Sequence, residues 1–284
     1  MMLVGKSLVP SDVLSDVQWV DIDWAGRPVR IETQWVGVHD SAAPVMVFLH
    51  EGLGSLSMWR DFPDTLCLRL GFRGLVYSRP GYGQSTPRAA EEHWGADFMH
   101  QQADVVLPAL LKALQVDTAR QPPWLFGHSD GGSIALLAAM YRPHDVAGLI
   151  VLAPHIFVED VAIESIAQAR EAYLQGDLRQ RLAKHHQDPD SAFWGWNDIW
   201  LDPGFRRWRI DGALDNIRCP LMAVQGLGDE YGTLAQIRGI AAKVPQCELQ
   251  ELAQCGHSPH RDQPDRLIDA VTIFLKQQPE GDTL

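Results

Sequence analysis

One short stretch narrows the possible folds more than any other feature of the chain. Three apolar residues, Trp124-Leu125-Phe126, run into Gly127-His128-Ser129-Asp130-Gly131-Gly132, and an Ala- and Leu-rich helical run follows. A strand, a tight glycine-flanked turn and a helix in that order make up half of a crossover on a parallel sheet. The rest of the chain repeats the alternation. Residues 45–49 are a continuous apolar run, as a strand buried on both faces requires. Residues 75–77, 149–152, 221–224 and 248–252 are further strand candidates, and 17–23 with 29–36 alternate as a leading antiparallel hairpin would. Helical spacing runs through 96–114, 131–141, 233–244 and 264–276, with Pro108 expected to bend the first. These elements predict an α/β protein with a mostly parallel sheet of about eight strands flanked by helices.

Residues 155–211 break the pattern. They contain no strand-like run, yet hold Trp194, Trp196, Trp200 and Trp208 out of ten tryptophans in all, and a charged helical stretch at 162–184. A long strandless insertion in such a domain reads as a helical lid inserted after the sixth strand. The expected organisation is a core of residues 1–154 and 212–284 with a cap of residues 155–211. A helical bundle packed on the sheet edge, with no ligand role, is the plainer reading of the same segment.

Composition excludes several function classes. With 24 basic against 36 acidic residues the net charge is −12, so phosphate backbones and anionic membranes are poor partners. A small-molecule substrate, with no nucleic acid or membrane partner, fits better. No targeting segment is read in residues 1–10, and the longest apolar runs fall far short of the ~18 residues a membrane span needs. The four cysteines, Cys67, Cys219, Cys247 and Cys255, form no C-x-x-C pair, which argues against a zinc or redox motif and for a reduced, cytoplasmic protein. We expect no metal and no cofactor, and a monomer or homodimer.

The Gly127–Gly131 turn fits G-x-S-x-G, in which a strained serine stands between strand and helix at the carboxyl edge of the sheet. A serine hydroxyl is a weak nucleophile and needs a base. His257, in Cys255-Gly256-His257-Ser258 between the last strand and the last helix, falls at that same edge. A third group must orient the imidazole. Asp229 is placed to do so, in Gly226-Leu227-Gly228-Asp229 after strand 221–224, with Glu230 as its rival because a one-residue shift in the turn would exchange them. Two backbone donors must face the developing oxyanion. One is the N–H of Asp130, and the other lies in the loop His50-Glu51-Gly52-Leu53-Gly54-Ser55.

With the order Ser129, Asp229, His257, the chain resembles α/β-hydrolase-fold serine hydrolases, a group that includes esterases, C–C hydrolases and proline iminopeptidases. The resemblance extends to Ser78-Arg79-Pro80-Gly81-Tyr82-Gly83-Gln84-Ser85, similar to the family's loop after the fourth strand, and to residues 257–264, where Asp262 replaces the usual Glu. It implies Gly52 as the second oxyanion donor. The family commonly has glycine where this chain has Glu51, and a carboxylate there must turn away or be paired.

Other residues carry weaker signals. His155 follows a strand end and either touches substrate or only begins the lid. Tyr82, Trp194 and Trp196 are candidates for lining a pocket with an apolar or aromatic preference. His128 reads as an elbow packing residue, and His185-His186 as a solvated pair. The expected activity is hydrolysis of a carboxylic ester through an acyl-serine. A thioester, lactone or C–C bond is the alternative, and a non-catalytic ligand-binding member of the fold is the alternative of another class.

Overall fold

The structure, a computed structural model, describes residues 17–278. Eight strands form one sheet: β1 (Gln18–Trp24), β2 (Arg27–Gly37), β3 (Val45–Leu49), β4 (Arg73–Tyr77), β5 (Trp124–His128), β6 (Gly148–Leu152), β7 (Leu221–Gly226) and β8 (Cys247–Leu252). Their order is β1-β2-β4-β3-β5-β6-β7-β8. β2 runs antiparallel to β1 and β4, and every other pairing is parallel. The leading hairpin closes through Ala25 and Gly26, both at positive φ (56° and 75°), the backbone that matches strand twist in a two-residue turn.

The helices are α1 (Phe62–Leu70), α2 (Phe98–Gln101), α3 (Leu107–Ala113), α4 (Asp130–Tyr141), α5 (Asp160–Gln175), α6 (Leu178–Leu182), α7 (Pro189–Trp200), α8 (Ala235–Lys243), α9 (Pro259–Asp262) and α10 (Pro264–Lys276). The two-residue period of a strand sorts the central residues between two cores. Val45, Val47 and Leu49 of β3 join α3, α4 and α8 on one face. Met46 and Phe48 join α1 and α10 on the other. Every residue of β3 and β6 is buried, so these strands had to be continuous apolar runs.

At Pro108 the helical stretch changes type and does not simply continue. The helical stretch before it widens into a π-turn, Gln102–Val106, and α3 restarts with Pro108 in its first turn. Proline offers no N–H to the carbonyl four residues back. That carbonyl, on Asp104, is met by the guanidinium of Arg142 instead, at 3.3 Å.

The segment between β6 and β7 is helical, apart from an isolated bridge between Phe157 and Arg209. It is fastened to loops at the carboxyl edge of the sheet. Glu159 accepts hydrogen bonds from the Thr233 N–H and hydroxyl (2.9 and 2.6 Å), and Ser191 at the start of α7 donates to Gly81 O (2.9 Å). His185 and His186 are not a solvated pair. His186 is 3% exposed; its Nδ1 accepts from the Gly83 N–H (2.9 Å) and its Nε2–H donates to Leu53 O (3.0 Å). Sequence spacing could not reveal this, because both partners lie more than a hundred residues away.

Two tests follow from this packing. A methyl group on Gly131 would overlap the carbonyl of Leu49 in β3, a backbone atom that cannot swing aside. Gly131→Ala should destabilise by about 2 kcal/mol or more and lower Tm by about 5 °C or more; an unchanged melting curve would show the contact to be soft. Burial lowers His186 to about 4, against about 6.5 in an unfolded chain. Between those values the unfolded state binds the extra proton, so stability falls as pH drops through the window. His186→Gln should remove about 2 kcal/mol of the loss between pH 7 and pH 5, read as a flatter dependence of denaturation midpoint on pH.

Candidate active site

Ser129 sits between β5 and α4 at φ 52° and ψ −120°, a backbone geometry that costs energy for any residue with a Cβ. Neighbouring glycines make it possible: a Cβ on Gly127 would strike the backbone of Gly131 and Gly132. The turn is pinned by the Ser129 N–H to Leu152 O (2.8 Å), and Ser133 is the first residue of α4 to bond back, to Ser129 O (3.0 Å). The amides of Asp130, Gly131 and Gly132 are thus the unpaired N–H groups of a helix start, which favours negative charge in front of them.

His257, 128 residues away, brings its Nε2 to 2.9 Å from Ser129 Oγ. Its Nδ1 lies 2.8 Å from Asp229 Oδ1. With Nδ1–H donated to the carboxylate, Nε2 is left to accept the serine proton. Asp229 is 1% exposed in its side chain yet well supplied with donors. Oδ1 also accepts from the Tyr231 and Gly232 N–H groups (2.8 and 3.2 Å), and Oδ2 from Gln225 Nε2 (3.0 Å). Burial alone would raise its pKa; the hydrogen bond and charge of His257 hold it below the usual carboxylate range. The rival Glu230 instead receives the His257 backbone N–H at 3.3 Å. Asp262 accepts from the Gly256 N–H (2.8 Å), and so supports the same loop.

Glu51 is paired. One oxygen lies 3.1 Å from Arg261 and the other 3.5 Å from His128 Nδ1. Burial pushes its carboxyl up, but His128, Arg261 and His260 together hold it well below its ordinary value. His128 Nε2 donates to the backbone oxygen of His257 (2.8 Å), so the elbow histidine packs behind the site as expected and also fastens the base loop. Gly52 lies directly under the indole of Trp196, where any side chain would collide with Nε1.

The other anticipated contacts divide. His155 is 3% exposed, stands against Trp200 and faces His257, with ring centroids 4.9 and 6.0 Å apart; burial, reinforced by His257, lowers it to about 3, a neutral imidazole. Tyr82 is buried beneath the Arg79 guanidinium (4.6 Å to the ring centroid). Trp196 joins the site, but Trp194 does not. Two residues along α7 is about 200° around the helix, and Trp194 packs on Tyr173, Phe193 and Arg170. The residue that shares the Trp196 face is Trp200, four positions on, whose Nε1–H donates to Asp130 Oδ1 at 3.2 Å. The i, i+4 spacing of the two tryptophans was the available signal for it. The side chains of Asp130 and Arg79 had none, because each is set by distant partners: Asp130 by Trp200 of the insertion, and Arg79 by His50 and the Glu51 carbonyl.

Among the described residues, no cluster of His, Cys, Asp and Glu has the makings of a metal site, and no helix is long and apolar enough to cross a membrane. All four cysteines are free thiols.

The sequence pattern of the alpha/beta hydrolase family matches residues 46–270. A relative from Yersinia pseudotuberculosis, 2-succinyl-6-hydroxy-2,4-cyclohexadiene-1-carboxylate synthase, is 29% identical over 265 residues, covering 84% of this chain and 90% of its own. A thermophilic esterase from Thermogutta terrifontis superposes with a TM-score of 0.70 at 19% identity, over 93% of this chain and 99% of that one. A meta-cleavage product hydrolase from Pseudomonas fluorescens gives 0.69 at 17% identity, over 90% and 97%. At such identities the structural likeness is one of fold. The family pattern spans most of the sheet and the strained serine turn, and the chain belongs to the alpha/beta hydrolase family.

Proposed function

We propose that the protein is a serine hydrolase that cleaves a carboxylic ester of a small substrate through an acyl-serine, without a cofactor. The observation that carries this reading is the hydrogen-bonded chain Ser129–His257–Asp229 with its serine at a strained elbow. His257 Nε2 takes the Ser129 proton as Oγ attacks the carbonyl carbon. The oxyanion forms in front of the Asp130 and Gly52 amides, and its collapse breaks the ester bond while His257 returns the proton to the leaving alcohol. Water then adds to the acyl-serine, giving its proton to His257. Release of the carboxylic acid restores the Ser129 hydroxyl from that proton. Asp229 stays ionised and holds the imidazole in the required tautomer. In this reading residues 155–211 are the lid, and Trp196 and Trp200 form an aromatic roof over the reacting carbonyl, which suits an apolar or aromatic substrate portion.

The kinship with a synthase favours a second reading, in which the same three residues act on a bond other than an ester: a thioester, a lactone or a C–C bond. A hydrolysis panel covering those bond types distinguishes the two.

Ser129→Ala should retain the parent melting temperature and lose turnover by a factor on the order of 10^6. A fluorophosphonate probe should label the parent at Ser129. Folded parent that refuses the probe would turn the assignment to a ligand-binding protein. For the acid, Asp229→Asn should cost about 10^4-fold in kcat, and Glu230→Gln less than about tenfold. The reverse ranking would transfer the orienting role to Glu230.

A further inference from the structure

Three buried polar groups around the site have no use in the chemistry above. Asp130 is 1% exposed; Trp200 takes its Oδ1, and its Oδ2 has no hydrogen-bond partner. The Nδ1 of His155, whose ring packs on Trp200, and the hydroxyl of Tyr82 are likewise buried without partners. Proteins rarely leave such atoms unsatisfied, and unpaired buried atoms next to a candidate nucleophile point to a place where a ligand completes the bonding.

We propose that Asp130 is a specificity-determining residue, whose Oδ2 accepts a hydrogen bond from a neutral hydroxyl carried by the substrate within a few bonds of the scissile carbonyl. The inference rests on the ester-hydrolase reading and deepens it. Its backbone N–H faces the oxyanion, so its carboxylate is one residue's reach from the reacting atoms. A carboxylate only accepts; burial raises Asp130 to about 6, opposed first by the Arg79 charge, so it is mostly ionised near neutral pH. Arg79 does not serve as a clamp for an anionic substrate. Its Nε–H and one of its two terminal NH2 groups are turned to the His50 ring and the Glu51 carbonyl, the latter at 2.8 Å, which leaves no second donor beside the remaining NH2 to make a bidentate pair. A substrate carboxylate would thus meet Asp130 without a free guanidinium fork to receive it. The Tyr82 hydroxyl can donate and accept, and the His155 Nδ1 can do one or the other according to its tautomer, which suits a polar but uncharged ligand.

The test compares kcat/KM for 4-nitrophenyl butanoate, its 2-hydroxy and 3-hydroxy analogues, and the 4-nitrophenyl monoester of succinate. The parent should favour one hydroxy ester over butanoate by at least about tenfold and disfavour the succinate ester. Asp130→Asn should bring the hydroxy-to-plain ratio to within about threefold of unity and relieve the discrimination against succinate. Asp130→Ser, read by the same ratios, covers failure of the first variant to fold. If the parent turns over no ester, concentrations of 3-hydroxybutanamide and butanamide that protect Ser129 from the fluorophosphonate give the same ratio. Equal use of hydroxy and plain compounds, preference for the succinate ester, or an Asp130→Asn ratio unchanged from the parent overturns the proposal while labelling of Ser129 leaves the hydrolase reading standing. Absence of labelling overturns both.

Discussion

The contact between His257 Nε2 and Ser129 Oγ joins two residues with nearly half the chain between them, and much of the surrounding structure serves to hold it. Each polar group of His257 is engaged. Its two ring nitrogens meet Asp229 and Ser129, its N–H meets Glu230, and its carbonyl receives His128. A histidine tied at four points, two on its ring and two on its backbone, would lose little freedom when a serine proton moved, which is what activating a weak nucleophile requires. The parallel sheet makes this possible by bringing the ends of β5, β7 and β8 to one edge, where their following turns face one another.

Charge compensation around that contact follows from the low dielectric of a covered site. Glu51 next to the oxyanion loop would oppose the developing charge if it faced the serine. It is drawn the other way, to Arg261 and His128. His50 accepts the Arg79 N–H at Nε2 (3.0 Å) and meets Glu51 O through Nδ1 (2.7 Å), so it stays neutral, with burial and then the Arg79 charge holding it well below its ordinary value. Carboxylates at the base loop meet N–H donors of the backbone, as Asp229, Glu230 and Asp262 each do. Asp130 differs from these: its Oδ2 is buried without a hydrogen-bond partner, the observation on which its proposed ligand role rests.

The helical insertion links these two features. Through α7 it lays Trp196 on Gly52 and bonds Trp200 to Asp130, and through His186 it bonds the loops after β3 and β4. The two loops that would hold the oxyanion are therefore braced from above by one helix.

The strands, the crossover helices other than α1, and Ser129 and His257 were legible from the chain alone, and Asp229 was named there with Glu230 as its rival. Local patterning decides them: β3 is apolar throughout because both its faces are covered, and the Gly127–Gly131 turn is dictated by sterics at adjacent residues. The choice between Asp229 and Glu230 was not legible, since it depends on which carboxylate a turn of known residues points at the imidazole. Nor were the pairing of Glu51 or the burial of His186, whereas the helical spacing of Trp196 and Trp200 held a signal for Trp200 over Trp194. Sequence specifies which groups exist and what periodicity they follow; hydrogen bonds between distant loops, and the desolvation that gives them weight, exist only once the sheet has brought those loops to one edge.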